Sequence, residues 1–256
     1  MTGTTGRLLH VMSSGSGSPL NFLHGFTQTS RSWATVTSQL VDSYECTTVD
    51  LPGHGNSLDG ARSLEEIAAD VVASTKPGTL VGYSFGARVA LHIALLYPQH
   101  VTRLVVISGT AGIIDDHERA QRKASDDALA DHIEQVGVSK FINEWLALPL
   151  FAGLTPDTDQ RQERCSNSAN GLADSLRYAG SGTQRPLWNK LGNISCDTLL
   201  IAGALDAKFV DLAERMHRAI PRSELQVVPN AGHTVHLESP EEFLRVFRAW
   251  MSTHPG

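Results

Sequence analysis

The sequence predicts an α/β protein built on a mostly parallel sheet, with helices on both faces and a helical segment inserted late in the chain. Short unbroken apolar runs, such as Leu104-Val105-Val106-Ile107 and Thr198-Leu199-Leu200-Ile201, alternate with stretches of helical spacing. Runs of that kind belong to strands buried on both faces, which is the condition of a parallel sheet. Clusters rich in Gly, Pro, Asp and His follow the strands, and over residues 112–193 the alternation gives way to helical patterns alone.

Taken in order, a weak strand at residues 7–12 and a Gly/Ser turn at 13–18 lead to a strand ending at Leu23. A helix is expected over 30–40, a strand over 46–49, and a helix over 64–74 through Leu64, Ile67, Ala68, Val71 and Val72. A strand beginning at Thr79 meets a helix over 85–97 that Pro98 stops. The insertion reads as three helices, 115–135, 138–148 with Phe141, Trp145 and Leu148 on one face, and 171–178. The strand at 198–203, a helix at 210–219 stopped before Pro221, and a strand at 225–228 resume the alternation. Ser239-Pro240-Glu241-Glu242 reads as a capping box that starts the last helix, to about Met251. The expected organisation is a core of residues 1–111 and 194–256 with a helical lid, 112–193, that shapes a substrate pocket and excludes water.

A length of 256 residues with 41% hydrophobic content supports one sizeable core. A net charge of -6 offers no basic footprint, which argues against a nucleic-acid partner. Cys46, Cys165 and Cys196 are odd in number and lack CxxC spacing, against a disulfide framework or zinc site and in favour of a reducing compartment. The first residues, Met1 to Arg7, contain no apolar leader and no apolar run matches a membrane span, so a soluble, cytoplasmic protein is expected. Monomer and small homo-oligomer are both compatible with this composition.

Leu80-Val81-Gly82-Tyr83-Ser84-Phe85-Gly86-Ala87-Arg88 organises the chemistry. A Gly-x-Ser-x-Gly string between a strand and a helix is a nucleophile elbow, in which small residues let strand and helix approach while the serine hydroxyl stands clear of the sheet. The following helix aims its first amides at that hydroxyl. His24-Gly25-Phe26 ends a neighbouring strand, so the Phe26 N–H, with that of Phe85, is the expected oxyanion donor. Asp206 and His233 each follow a later strand, in the order nucleophile, acid, histidine. In such a triad His233 takes the serine proton and Asp206 holds the imidazole tautomer. His54 and His236 are the rival bases. His54 has no orienting carboxylate in the right chain order, and His236 lies deeper toward Ser239, so packing or capping roles are expected of both.

Leu-His-Gly-Phe at 23–26, Asp-Leu-Pro-Gly-His-Gly-Asn-Ser at 50–57, Gly-Tyr-Ser-Phe-Gly at 82–86 and Ala-Gly-His at 231–233 together resemble the α/β-hydrolase fold family along nearly the whole chain. Within it, Gly-Tyr-Ser-Phe-Gly-Ala-Arg at 82–88, Arg119-Ala120-Gln121-Arg122-Lys123-Ala124-Ser125-Asp126, Glu144-Trp145 before Pro149-Leu150-Phe151, and the segment 171–177 followed by Gln184 and Leu187-Trp188 are similar to the 2-succinyl-6-hydroxy-2,4-cyclohexadiene-1-carboxylate synthases of menaquinone biosynthesis. That resemblance implies a lyase that eliminates pyruvate from a polycarboxylate with the triad as base, and with no cofactor and no metal. It also implies substrate-binding roles for Tyr83, Arg88, Arg122 and Trp145. The third arginine of these enzymes falls at a small offset here, with Arg164 the first choice and Arg177 the fallback. Two other readings stay open on the residues alone. One is a serine hydrolase, a carboxylesterase or carbon–carbon bond hydrolase with Ser84 as covalent nucleophile. The other is a binding protein with an inactive site. Convergence of Arg88 and Arg122 on the pocket would favour the polycarboxylate.

Overall fold

The computed structural model describes residues 6–254; most of the stretch read as lacking an apolar leader, Met1 to Thr5, lies outside that range. A seven-stranded sheet runs in the order β1-β3-β2-β4-β5-β6-β7. Its members are β1 (Val11–Ser14), β2 (Ser18–Leu23), β3 (Tyr44–Val49), β4 (Gly78–Tyr83), β5 (Val101–Ile107), β6 (Asp197–Gly203) and β7 (Ser223–Val228). β1 pairs antiparallel with β3, and every other pairing is parallel. Successive side chains of a strand face opposite ways, and here both faces are buried. Leu104 and Val106 pack on one side with α2 (Leu64–Ser74) and α3 (Phe85–Leu96), while Val105 and Ile107 pack on the other with Phe243, Phe247 and Trp250.

Helix boundaries follow local chemistry. Ser63 and Glu66 form a true capping box at the start of α2, satisfying two of the orphan amides there. The box expected at Ser239 does not form: Pro240 opens the last helix, but the Ser239 side chain caps no amide. Proline at the first position has no N–H to satisfy, so the start needs less help from a side chain. The helix expected over 30–40 is a 3₁₀ turn, Ser30–Trp33, running into a single turn α1 (Ala34–Thr37). The first strand lies later than expected, because its register is set by pairing with β3 and not by local propensity.

Between β5 and β6 lie α4 (Asp116–Val136), α5 (Val138–Leu146), α6 (Arg161–Arg164) and α7 (Ala169–Ala179). They share a small apolar cluster of their own, with Ile133, Phe141, Ile142 and Leu172 at its centre. Leu148, expected on the buried face with Phe141, is instead exposed beyond the end of α5. Further on, Leu187, Leu191 and Ile194 pack into the main core. No described helix is long and apolar enough to cross a membrane.

Candidate active site

The carboxyl ends of β2, β4, β5, β6 and β7 lie side by side, and the loops that leave them converge there. Ser84 follows β4 with φ 50° and ψ -102°, a strained conformation for a residue with a Cβ. Its amide donates to the Ile107 carbonyl at 2.9 Å and the Gly86 amide to that of His24 at 2.9 Å, which ties the bend to both neighbouring strands. A Cβ on Gly86 would collide with the Leu23 carbonyl, and one on Gly82 with the Gly86 carbonyl, so the turn admits only glycine at both positions.

Across the strand ends, His233 Nε2 lies 3.1 Å from Ser84 Oγ, and His233 Nδ1 lies 2.8 Å from Asp206 Oδ2. Asp206 serves two ends at once, because its Oδ1 accepts from the Phe209 amide at 3.3 Å and caps α8 (Ala207–Ala219). The Asp206 and His233 loops interlock: the Leu205 amide donates to the Ala231 carbonyl at 2.9 Å, and Gly203 leaves room for the Gly232 carbonyl. Phe209 packs edge-on against the His233 ring at 4.4 Å, and the Ser108 hydroxyl donates to the His233 carbonyl at 2.7 Å.

The amides of Phe26 and Phe85 make no hydrogen bond among the described residues, and both residues line the cavity beside Ser84. The loop carrying Phe26 is braced by two neutral imidazoles. His24 Nε2 accepts from the Leu51 amide at 3.0 Å, and His54 Nε2 accepts from the Thr27 amide at 3.3 Å. Burial lowers their pKa values to about 4 and about 3, which keeps the acceptor nitrogens unprotonated. His54 is therefore a strut of the loop, as its sequence position suggested. His236 is fully buried and stacked on Trp33 at 4.3 Å, with neither ring nitrogen hydrogen-bonded and its pKa lowered by burial to about 3.

A cavity of about 510 Å³ opens over Ser84, with Phe26, Trp145 and Phe151 among its apolar walls. Arg88, Arg122 and Arg164 all reach it. Arg122 is paired with Asp126 at 2.7 Å, and the other Asp126 oxygen accepts from the Gly182 amide at 2.9 Å. Arg88 and Arg164 are buried and neither has a carboxylate within ion-pair distance among the described residues. Arg88 donates to the Ala179 carbonyl at 2.8 Å, and Arg164 donates to the Asp159 carbonyl at 2.8 Å and to the Thr27 hydroxyl. Arg164 Nη2 has no partner. Burial pulls both guanidinium pKa values down to about 10, still high enough to stay charged at neutral pH. Tyr83 places its hydroxyl 3.1 Å from that of Thr234, and burial raises its pKa, so it stays neutral.

Of the candidates from the sequence, Phe26, Tyr83, Ser84, Phe85, Arg88, Arg122, Trp145, Arg164 and His233 line this cavity, with Asp206 behind His233. Arg177, the fallback arginine, sits instead on the surface, held by Asp131 and Glu134. Sequence reasoning missed Ser108, Lys208 and Phe209, and gave Asp126 and Phe151 no role beyond their place in the family-like segments. Lys208 escaped notice because the helix was expected from residue 210; it begins at Ala207, which puts the lysine in its first turn, where a positive charge opposes the helix dipole.

A model of the alpha/beta hydrolase family matches residues 22–246. A Bacillus subtilis (strain 168) protein provisionally named 2-succinyl-6-hydroxy-2,4-cyclohexadiene-1-carboxylate synthase is 35% identical, over 90% of this chain and 89% of its own length. The synthase of that name from Serratia proteamaculans (strain 568) is 29% identical over 93% of this chain and 94% of its own. The structure of MenH from S. aureus superposes with a TM-score of 0.90 at 32% identity, covering 96% of this chain and 99% of that one. Matched along most of its length by the family model and by these relatives, the chain belongs to the alpha/beta hydrolase family, among its MenH-like members.

Proposed function

We propose that this enzyme eliminates pyruvate from 2-succinyl-5-enolpyruvyl-6-hydroxy-3-cyclohexene-1-carboxylate, giving 2-succinyl-6-hydroxy-2,4-cyclohexadiene-1-carboxylate in menaquinone biosynthesis. The observation that carries this reading is the pair of buried arginines, Arg88 and Arg164, that line the cavity with no carboxylate in ion-pair contact among the described residues. A buried charge left unpaired is costly, and an anionic ligand is what offsets that cost. The substrate bears three carboxylates, and a guanidinium fork matches a carboxylate in two places. Lys208 adds positive charge at the cavity wall, Arg122 offers the part of its guanidinium that Asp126 leaves free, and Tyr83 and Trp145 shape the wall.

In this reading the helices between β5 and β6 act as a lid that carries Arg122, Trp145 and Arg164 over the strand ends. The packing of Leu187 and Leu191 into the main core supports a trailing boundary for this lid before residue 187. Ser84, deprotonated through His233, removes the proton from the ring carbon that bears the succinyl group. The electron pair moves into the ring, the alkene shifts, and the carbon–oxygen bond to the enolpyruvyl group breaks. The leaving group departs as enolpyruvate, which takes up a proton at carbon to become pyruvate. Charge develops on the succinyl ketone oxygen, where the free amides of Phe26 and Phe85 stabilise it. Asp206 keeps His233 in the tautomer that accepts at Nε2. The three unpaired cysteines fit a cytoplasmic setting.

The test supplies the enolpyruvyl substrate and measures pyruvate, with simple aryl esters run in parallel. Pyruvate release with slow ester turnover is expected. Rapid ester turnover without pyruvate would establish the serine-hydrolase reading, which the complete Ser84-His233-Asp206 chain also supports.

A further inference from the structure

We infer that Glu238 is a positioning residue that couples the seating of the lid to the orientation of His233; this rests on His233 being the base of the proposed reaction. Glu238 ends the one-turn helix α9 (Val235–Glu238), and its carboxylate turns back on the residues that precede it. Oε2 accepts from the Gly232 amide at 2.7 Å and Oε1 from the Thr234 amide at 2.8 Å. These two bonds bracket His233, whose own carbonyl is held by Ser108. Three consecutive residues are thus tied down around a side chain that must reach Ser84 on one edge and Asp206 on the other. Amide bonds to an ionised carboxylate are roughly twice as strong as neutral ones. Glu238 has no cationic partner among the described residues, so its charge is committed to these two amides.

The lid touches the same carboxylate. Gly153, just past the 3₁₀ turn Pro149–Phe151, lies against it so closely that a Cβ there would collide with Oε2. The backbone of Gly153 does not have positive φ, so its lack of a side chain answers to this contact and not to conformation. Two residues before it, Phe151 faces the His233 ring edge-on at 6.5 Å and lines the cavity. Seating the lid at Gly153 removes water from Glu238 and strengthens its hold on the His233 backbone, since a hydrogen bond gains strength as the local dielectric falls.

The experiment is a double-mutant cycle on the full chain with Glu238→Ala and Gly153→Ala, read by pyruvate release and, independently, by the rate at which a fluorophosphonate labels Ser84. Glu238→Ala is expected to lower kcat about 10- to 100-fold with KM little changed, the scale of a misplaced catalytic group. Gly153→Ala is expected to slow both readouts several-fold with Glu238 present and to have no further effect when combined with Glu238→Ala. Unchanged kcat in a folded Glu238→Ala variant would overturn the inference, as would a rise in KM with kcat held, or additive effects of the two substitutions. Should Glu238→Ala not fold, Glu238→Gln keeps the shape and one acceptor, and the same outcomes decide. If the parent enzyme releases no pyruvate yet labelling shows the cycle, the lyase reading fails and this one stands.

Discussion

At the scale of single residues, strain gathers around the proposed chemistry. Thr27, Ser84 and Ser108 all hold positive φ, and each is pinned by several partners. Thr27 is the plainest case, because its amide meets His54, its carbonyl accepts from Asn167 at 2.7 Å, and its hydroxyl receives Arg164. Such conformations persist only where neighbours over-determine them. Ser84→Ala is expected to lower kcat by at least about a thousandfold while leaving fold and substrate binding intact, measured by pyruvate release and by the melting temperature. Arg164→Met should raise KM more than it lowers kcat, and Arg164→Lys should recover only part of the loss, because a point charge cannot reproduce the fork. His236→Phe tests the rival base. Its ring nitrogens are unpartnered against Trp33, so an apolar ring in that place should keep activity and stabilise the fold by about 1 kcal/mol at pH 7. Loss of activity in that variant would show that His236 takes part in catalysis.

At the scale of elements, the site depends on how closely α3 approaches the sheet. Gly86 packs against β2 and Gly82 against the first turn of α3, so added bulk at either position must push the helix outward. Gly86→Ala is expected to cost about 3 kcal/mol of stability, at the upper end of core overpacking, read from the denaturant midpoint. It should also slow fluorophosphonate labelling, since the displaced helix carries the Phe85 amide with it. The elbow was legible in the sequence because glycine spacing, an apolar strand and a helical pattern all agree there. The short first helix and the false capping box were not, because propensity and cap spacing say nothing about which tertiary contacts compete with them.

At the scale of the whole molecule, buried neutral histidines set the acid limit of the fold. His24, His54 and His236 have folded pKa values of about 4, about 3 and about 3, all lowered by burial from 6.5. Above pH 6.5 neither the folded nor the unfolded chain protonates these rings, and their contribution to stability is fully present. As pH falls below 6.5 the unfolded chain takes up protons that the folded one refuses, and stability declines until the folded values are passed. Each ring contributes at most about 1.4 kcal/mol per pH unit in that window. Chemical denaturation between pH 7 and pH 4 should therefore show a steep loss, shallower by one proton in His236→Phe. A flat profile across that range would contradict the buried neutral state.

The sequence by itself determined the fold class, the order of the triad and the elbow that carries Ser84, because periodicity, turn chemistry and motif spacing are local properties of the chain. Tertiary structure alone decided which cations face the cavity and which face solvent. Arg164 and Arg177 carry the same side chain on neighbouring helices, yet one is buried without a carboxylate and the other is held by Asp131 and Glu134 at the surface. Charge balance is settled by what surrounds a group in space, and those surroundings come from segments far apart in the chain.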